Sequence, residues 1–202
     1  MAEELPQFTP EAGELARVKE LLRQELGGNP LLILLNPNAS DLLPLRRWPT
    51  DRYVELARRI LENFSEVTVA FTGGPEEAVA GAELARRVSS TRCISLAGKT
   101  TLRELLVVYT LSKVLVTNDS GPAHFATLTP VQVVTLFGPE TPALFAARTP
   151  RNTVLWAGLA CSPCVSAYNS RQSGCRDNVC MQAISVEQVF NAVGDSYERA
   201  RG

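Results

Sequence analysis

The sequence predicts an α/β fold in which a doubly wound parallel sheet carries helices on both faces. Three observations predict it. Six short stretches of strand length are almost wholly apolar, as strands buried on both faces must be. Between them lie segments whose apolar residues recur at helical spacing. Pro, Gly, Ser, Thr, Asn and Asp punctuate the joins. Strand–helix alternation of this kind gives a parallel sheet, and right-handed crossovers place helices on alternate sides.

Taken in order, residues 1–29 read as a lead-in helix, acidic and then amphipathic. It is closed by Gly-Gly-Asn-Pro in the manner of an interdomain linker. Residues 30–202 read as one domain. "LLILLN" (31–36) is its first strand, bounded by Asn-Pro. In "TDRYVELARRILENF" (50–64), Tyr53, Leu56, Ala57, Ile60, Leu61 and Phe64 share one helical face, with Thr50 or Asp51 as the expected cap. "EVTVAFTGG" (66–74) is a strand running into a glycine pair, and "PEEAVAGAELARRV" (75–88) opens as a helix should, with Pro and two acids. The pattern repeats with strands in 93–98, 114–119, 131–138 and 153–158. Helices fall in 101–111, 121–128 and 141–148, and a last helix starts at Ser185 after a cysteine-bearing loop, 160–180.

The totals exclude several classes. With 20 Lys and Arg against 21 Asp and Glu, the net charge is −1, which gives no basic face for nucleic acid. No stretch approaches the roughly 20 apolar residues that span a bilayer. The acidic N-terminus lacks the basic start and apolar core of a signal peptide, so a cytoplasmic protein is expected. "AGKT" (97–100) is not a P-loop, because Cys93 stands where that motif needs its first glycine. No Gly-x-Gly-x-x-Gly follows a strand, which argues against a dehydrogenase. A phosphosugar epimerase would need a pair of bases that is not visible.

In open α/β sheets ligands bind beyond the carboxyl ends of the strands. Those ends carry "NPNASDLLPLRRWP" (36–49), "TGGPEE" (72–77), "NDSGPAH" (118–124) and "FGPETP" (137–142). In the third, Ser120 suits an N-cap and Pro122 the first helical turn. The Gly121 and Ala123 amides would then face an anion at the positive helix end, with His124, the sole histidine, and Arg46 or Arg47 as charged partners. The same residues also describe a capped turn with His124 in the core. Glu77 is positioned for ribose hydroxyls, and the plainer reading, a tight turn followed by first-turn acids, stands beside it.

Cys161, Cys164, Cys175 and Cys180 form two close pairs in a polar loop. A structural zinc is one reading, and reduced thiols or disulfides are the others. Cys93 reads as a small buried apolar residue.

"NPNAS…RRWPTDRYVELARRI", "FTGGPEE", "SLAGKTTLRELL", "NDSGPAHFA" and "VVTLFGPETP" run in order from about residue 31 to 190. Together they resemble the C-terminal half of the bacterial ADP-heptose:lipopolysaccharide heptosyltransferases, glycosyltransferase family 9, of GT-B architecture. The resemblance implies a Rossmann-like domain that binds a nucleotide-sugar donor. Ser40 and Arg46 would hold phosphate, Glu77 the ribose, and Asp119, Ser120, Gly121 and His124 the pyrophosphate. It implies inversion at the sugar without a catalytic metal. The lipopolysaccharide core acceptor and the general base would belong to an N-terminal domain that this chain lacks, leaving it inactive alone. The enzyme would be cytoplasmic, including the inner face of the membrane. This sequence departs from the usual pattern at Arg46 (commonly Lys), Asn38 (commonly Gly) and Thr129 (commonly Gly). A non-catalytic nucleotide-binding module, or a zinc-stabilised interaction module, is the alternative.

Overall fold

The computed structural model describes residues 6–27, 31–170 and 172–202. Six parallel strands form one sheet: β1 (Leu31–Asn36), β2 (Val67–Phe71), β3 (Cys93–Ser95), β4 (Ser112–Asn118), β5 (Gln132–Phe137) and β6 (Asn152–Trp156). Their spatial order is β3-β2-β1-β4-β5-β6. Each expected strand is present, and the direction of winding reverses between β1 and β4, which pair in parallel with Leu34 opposite Leu115.

Alternation along each strand explains the unbroken apolar runs. Ile33, Leu35, Val114, Val116, Val134 and Leu136 point to one face. There they meet α2 (Thr50–Asn63), α3 (Ala78–Val88) and α8 (Val186–Arg199). Leu32, Leu34, Leu115 and Val133 point to the other face, covered by α1 (Ala12–Leu26) and α4 (Leu102–Leu111). With helices on both sides, neither strand face can be polar.

Local chemistry sets most helix starts. Thr101 and Glu104 form a reciprocal capping box on α4, as do Ser185 and Gln188 on α8. The start of α2 differs from expectation, since neither Thr50 nor Asp51 caps it. The chain enters through Trp48-Pro49, the Pro49 carbonyl accepts from the Arg52 amide at 3.0 Å, and Thr50 already lies inside the first turn. Asp51 instead pairs with Arg87 at 2.6 Å. The helix expected over 121–128 divides into α5 (Gly121–Phe125) and a 3-10 turn, Ala126–Leu128. That expected over 141–148 shrinks to α6 (Pro142–Phe145), because Ala146 turns to extended backbone. A short α7 (Val179–Gln182) follows the cysteine loop.

The lead-in segment is part of the folded unit. Val18 and Leu22 of α1 are buried against α4, and the Phe8 amide donates to the Leu128 carbonyl at 2.8 Å. Arg17–Glu104 at 2.8 Å and Lys99–Glu25 at 2.6 Å add ion pairs along its length. Gly27, at φ 71°, ends the helix, and the rest of the Gly-Gly-Asn-Pro break lies outside the described residues. Among the described residues no helix is long and apolar enough to cross a membrane.

If α1 is a true layer of the core, Leu22→Ala should lower unfolding stability by about 2–5 kcal/mol. Urea denaturation measures this, and a loss below about 1 kcal/mol would make α1 a peripheral attachment.

Candidate functional site

A cleft of about 1420 Å³ opens at the carboxyl ends of β1, β2, β3 and β4, across the point where the sheet reverses. Its walls come from the loops after those strands together with the starts of α3, α4 and α5.

One side chain fixes the floor. Asn118, fully buried at the end of β4, uses its whole carboxamide. Its Nδ2 donates to the carbonyls of Pro37 at 2.9 Å and Asn38 at 3.2 Å. Its Oδ1 accepts from the Trp48 amide and the Tyr53 hydroxyl, both at 3.1 Å. The β1 loop is thereby tied at both ends to the neighbouring strand. Trp48 is anchored again through its indole N–H, which donates to the Ile184 carbonyl at 2.9 Å. Burial without a nearby cation holds the Tyr53 hydroxyl well above the ordinary phenol range, so it stays protonated as a donor. On the β2 side, Asn38 Nδ2 donates to the Thr72 carbonyl at 3.1 Å. A Cβ on Gly73 would stand 2.7 Å from that nitrogen and from Glu77 Oε2. Gly98, at φ +73°, donates to the Gly73 carbonyl at 3.1 Å and so stitches the β3 loop to the β2 loop.

Ser40, Glu77, Ser120 and Gly121 line the cleft together. The Ser40 hydroxyl is exposed and accepts from the Leu42 amide at 3.2 Å. Glu77 Oε2 accepts from the Gly74 amide at 2.6 Å, and its carboxyl is raised above the ordinary 4.5, chiefly by desolvation. Ser120 occupies the N-cap position of α5, yet its hydroxyl donates to the Asn118 carbonyl at 3.2 Å instead of capping. The expected pair of outward amides reduces to one, because the Ala123 N–H is taken by the Ser120 carbonyl at 3.1 Å.

Three predicted residues lie elsewhere. Arg46 and Asp119 sit behind the cleft wall, where the Arg46 guanidinium donates to the Asp119 carbonyl at 3.2 Å and lies 3.5 Å from its carboxylate. Its other arm is bonded to Glu140, a fully buried acid in the β5 loop. Glu140 was not anticipated, and the available signal was an acid directly after Gly-Pro at a strand end. His124 is exposed on the opposite flank of α5, lining a smaller depression of about 320 Å³ with Leu144 and Arg148. It is therefore not a core histidine. Arg47, the alternative to Arg46 in the sequence reading, does line the main cleft, as does Lys99, which spacing did not single out.

All five cysteines are free thiols. Cys93 is buried, and burial pushes it up to about 12, as an inert apolar residue requires. Cys161, Cys164, Cys175 and Cys180 share one neighbourhood. The Cys180 thiol is raised first by burial and further by the other three sulfurs. The Ser173 hydroxyl links Cys164 Sγ, at 3.3 Å, to the Cys175 amide, at 3.2 Å. Among the described residues, no three Cys, His, Asp or Glu side chains are grouped as metal ligands in this arrangement.

A parallel sheet with helices on both faces and an open cleft at its reversal point, walled by glycines and short polar side chains, defines a Rossmann-like α/β domain. Residues 2–173 match glycosyltransferase family 9 (heptosyltransferase), and the chain belongs to that family. It is similar to lipopolysaccharide heptosyltransferase 2 of Salmonella typhimurium, 33% identical over 102 residues, or 49% of this chain and 29% of that one. Its fold is similar to that of Escherichia coli ADP-heptose lps heptosyltransferase II, with a TM-score of 0.77 and 22% identity over 100% of this chain and 57% of that one. It is also similar to Escherichia coli heptosyltransferase WaaC with ADP, with a TM-score of 0.59 and 16% identity over 97% and 52%. The chain thus spans between 29% and 57% of these proteins.

Asn118→Ala would leave the buried Trp48 amide and Pro37 carbonyl without this partner, loosen the Asn38 carbonyl, and leave the Tyr53 hydroxyl only the Asn36 carbonyl at 3.2 Å; it should cost about 3 kcal/mol, read as a lowered urea midpoint. A second outcome concerns pH. The folded-state pKa of Glu77 exceeds its unfolded value, so its contribution is full below the ordinary 4.5 and is lost as pH rises through the folded value. Wild type should therefore lose stability relative to Glu77→Gln as pH is raised from about 4 to 7. A flat difference in thermal melts would contradict the desolvated carboxyl.

Proposed function

We propose that this chain is the donor-binding half of an inverting glycosyltransferase that moves a heptose, or a related sugar, from a nucleotide diphosphate to a lipopolysaccharide core acceptor. The observation that carries the reading is the convergence of Ser40, Glu77, Ser120 and Gly121, from three separate strand ends, on one cleft at the sheet's reversal. Family membership supports it, as do the ADP bound to one structural relative and the ADP-heptose named for another.

In this reading the diphosphate lies against the Gly121 amide and the Ser40 and Ser120 hydroxyls. Asp119 shapes the wall from behind. Glu77 spends one oxygen on the Gly74 amide and offers the other to the ribose. The cleft exceeds the usual range for small-ligand pockets, which leaves room for a sugar beyond the nucleotide. As the glycosidic bond breaks, charge grows on the departing diphosphate. Donors already in place stabilise that charge without reorganising, so the domain supplies electrostatic catalysis and needs no metal for it. The base that activates the acceptor is assigned to the domain that binds the acceptor, and transfer is assigned to the two domains together.

Calorimetry with ADP tests the site. The chain should bind ADP, and Glu77→Ala should weaken binding about tenfold, the effect of one lost charge-assisted hydrogen bond. His124→Ala, on the far flank of α5, should weaken it by only a few-fold. Failure to bind ADP, or affinity unchanged in both variants, would overturn the reading.

A further inference from the structure

Four of the five cysteines lie between β6 and the end of α7, and none of them lines the cleft. The structure divides them by access. Cys180 is buried, and a Cβ on Gly138 would stand 3.2 Å from its sulfur. Burial raises its thiol, which keeps it protonated and a poor nucleophile. Cys161 is exposed in the turn after β6. Cys164 and Cys175 are each half-buried, and one hydroxyl spans the gap between them. Ser173 Oγ donates to Cys164 Sγ and accepts from the Cys175 amide.

These two residues are seated on different parts of the wall. The amides of Cys164 and Val165 both donate to the Pro139 carbonyl, at 2.9 and 3.1 Å, and Val165 is buried. Cys164 is thus fixed to the β5 loop beside Glu140. Cys175 opens the segment that reaches Asn178, whose Nδ2 donates to the Arg47 carbonyl in the β1 loop at 3.2 Å. Between the two seats, among the described residues, the hydrogen bonds stay within the loop itself, as from Asn169 Nδ2 to the Cys164 carbonyl at 2.9 Å. Tyr168 is fully exposed there.

We propose that Cys164 and Cys175 form a reversible thiol–disulfide pair, and that its oxidation ties the β5 and β1 ends together behind the cleft. The pair does not depend on what the cleft binds. The oxidant is a small-molecule disulfide such as oxidised glutathione. Cys175 is the first to react, because its sulfur is open to solvent beside the exposed Asp177 carboxylate, at 3.5 Å. Its thiolate attacks one sulfur of the oxidant, forms a mixed disulfide and expels one glutathione thiolate. The Cys164 thiolate then attacks the Cys175 sulfur, closes the protein disulfide and expels the second glutathione. Two electrons pass from the protein to the oxidant, and the two thiol protons end on the two released glutathiones. The Ser173 hydroxyl turns away to solvent as the bond forms.

The test incubates the native 202-residue chain with oxidised glutathione, counts thiols and maps disulfides by mass spectrometry after alkylation. Two of the five thiols should be lost to one bond between Cys164 and Cys175, and dithiothreitol should restore them. The melting temperature should rise by about 5 °C, because the bond restricts the unfolded chain. Cys161→Ser should behave as wild type, whereas Cys175→Ser should show no rise. A bond mapped to Cys161, five thiols untouched by the oxidant, or an oxidised chain that melts no higher overturns the proposal. So does stoichiometric zinc that shields the thiols until a chelator removes it, since the four cysteines would then be a metal site.

Discussion

The cleft depends on a single carboxamide. Asn118 lies where β4 ends, and its four hydrogen bonds decide where the β1 loop begins, where it ends and how α2 is entered. A loop of that length would otherwise be an ensemble, because fixing each residue costs about 1–2 kcal/mol of backbone entropy. Burial makes the amide effective. In a low-dielectric interior each bond is stronger, and an unmade one would be expensive, so alternative loop positions are disfavoured by the partners they would strand.

Electrostatics complete what the amide starts. Arg46, Asp119 and Glu140 come from three loops and meet behind the wall, joining the β1, β4 and β5 ends. Such a buried cluster is weak evidence of net stability, since desolvation offsets much of the attraction. Its value is geometric, because it admits one arrangement of the loops. On the cleft side the charged groups are solvated and exchangeable, Arg47 against Asp41 and Lys99 against Glu25. The molecule separates charges that hold its shape from charges that remain free to meet a ligand.

This separation marks what could be read from sequence. Strands such as 31–36 and 131–138 were legible because parallel packing demands apolar side chains on both faces, a local signature. Glu77, Ser40 and Gly121 were legible because strand ends and glycine turns place them whatever their distant neighbours do. Arg46 and Arg47 could not be told apart by spacing. What separates them is Glu140, 94 residues further along the chain, and a long-range ion pair leaves no periodic trace. His124 fell on the unexpected side of α5 because a five-residue helix has too few turns for a reliable face. The α2 cap failed for a related reason. Trp48 is committed to Asn118 and Ile184, and this tertiary anchoring moved the helix start past the favoured cap residues.

The floor and the lip of the cleft differ in kind. The floor is locked, whereas the lip at Leu42 is 89% exposed and held by little beyond the Ser40 hydroxyl and its own turn. A molecule settling there would meet a finished surface below and a yielding edge above. Its affinity would be decided at the floor and its rate of departure at the edge, so changes to the lip would alter how fast it exchanges while leaving equilibrium occupancy almost untouched.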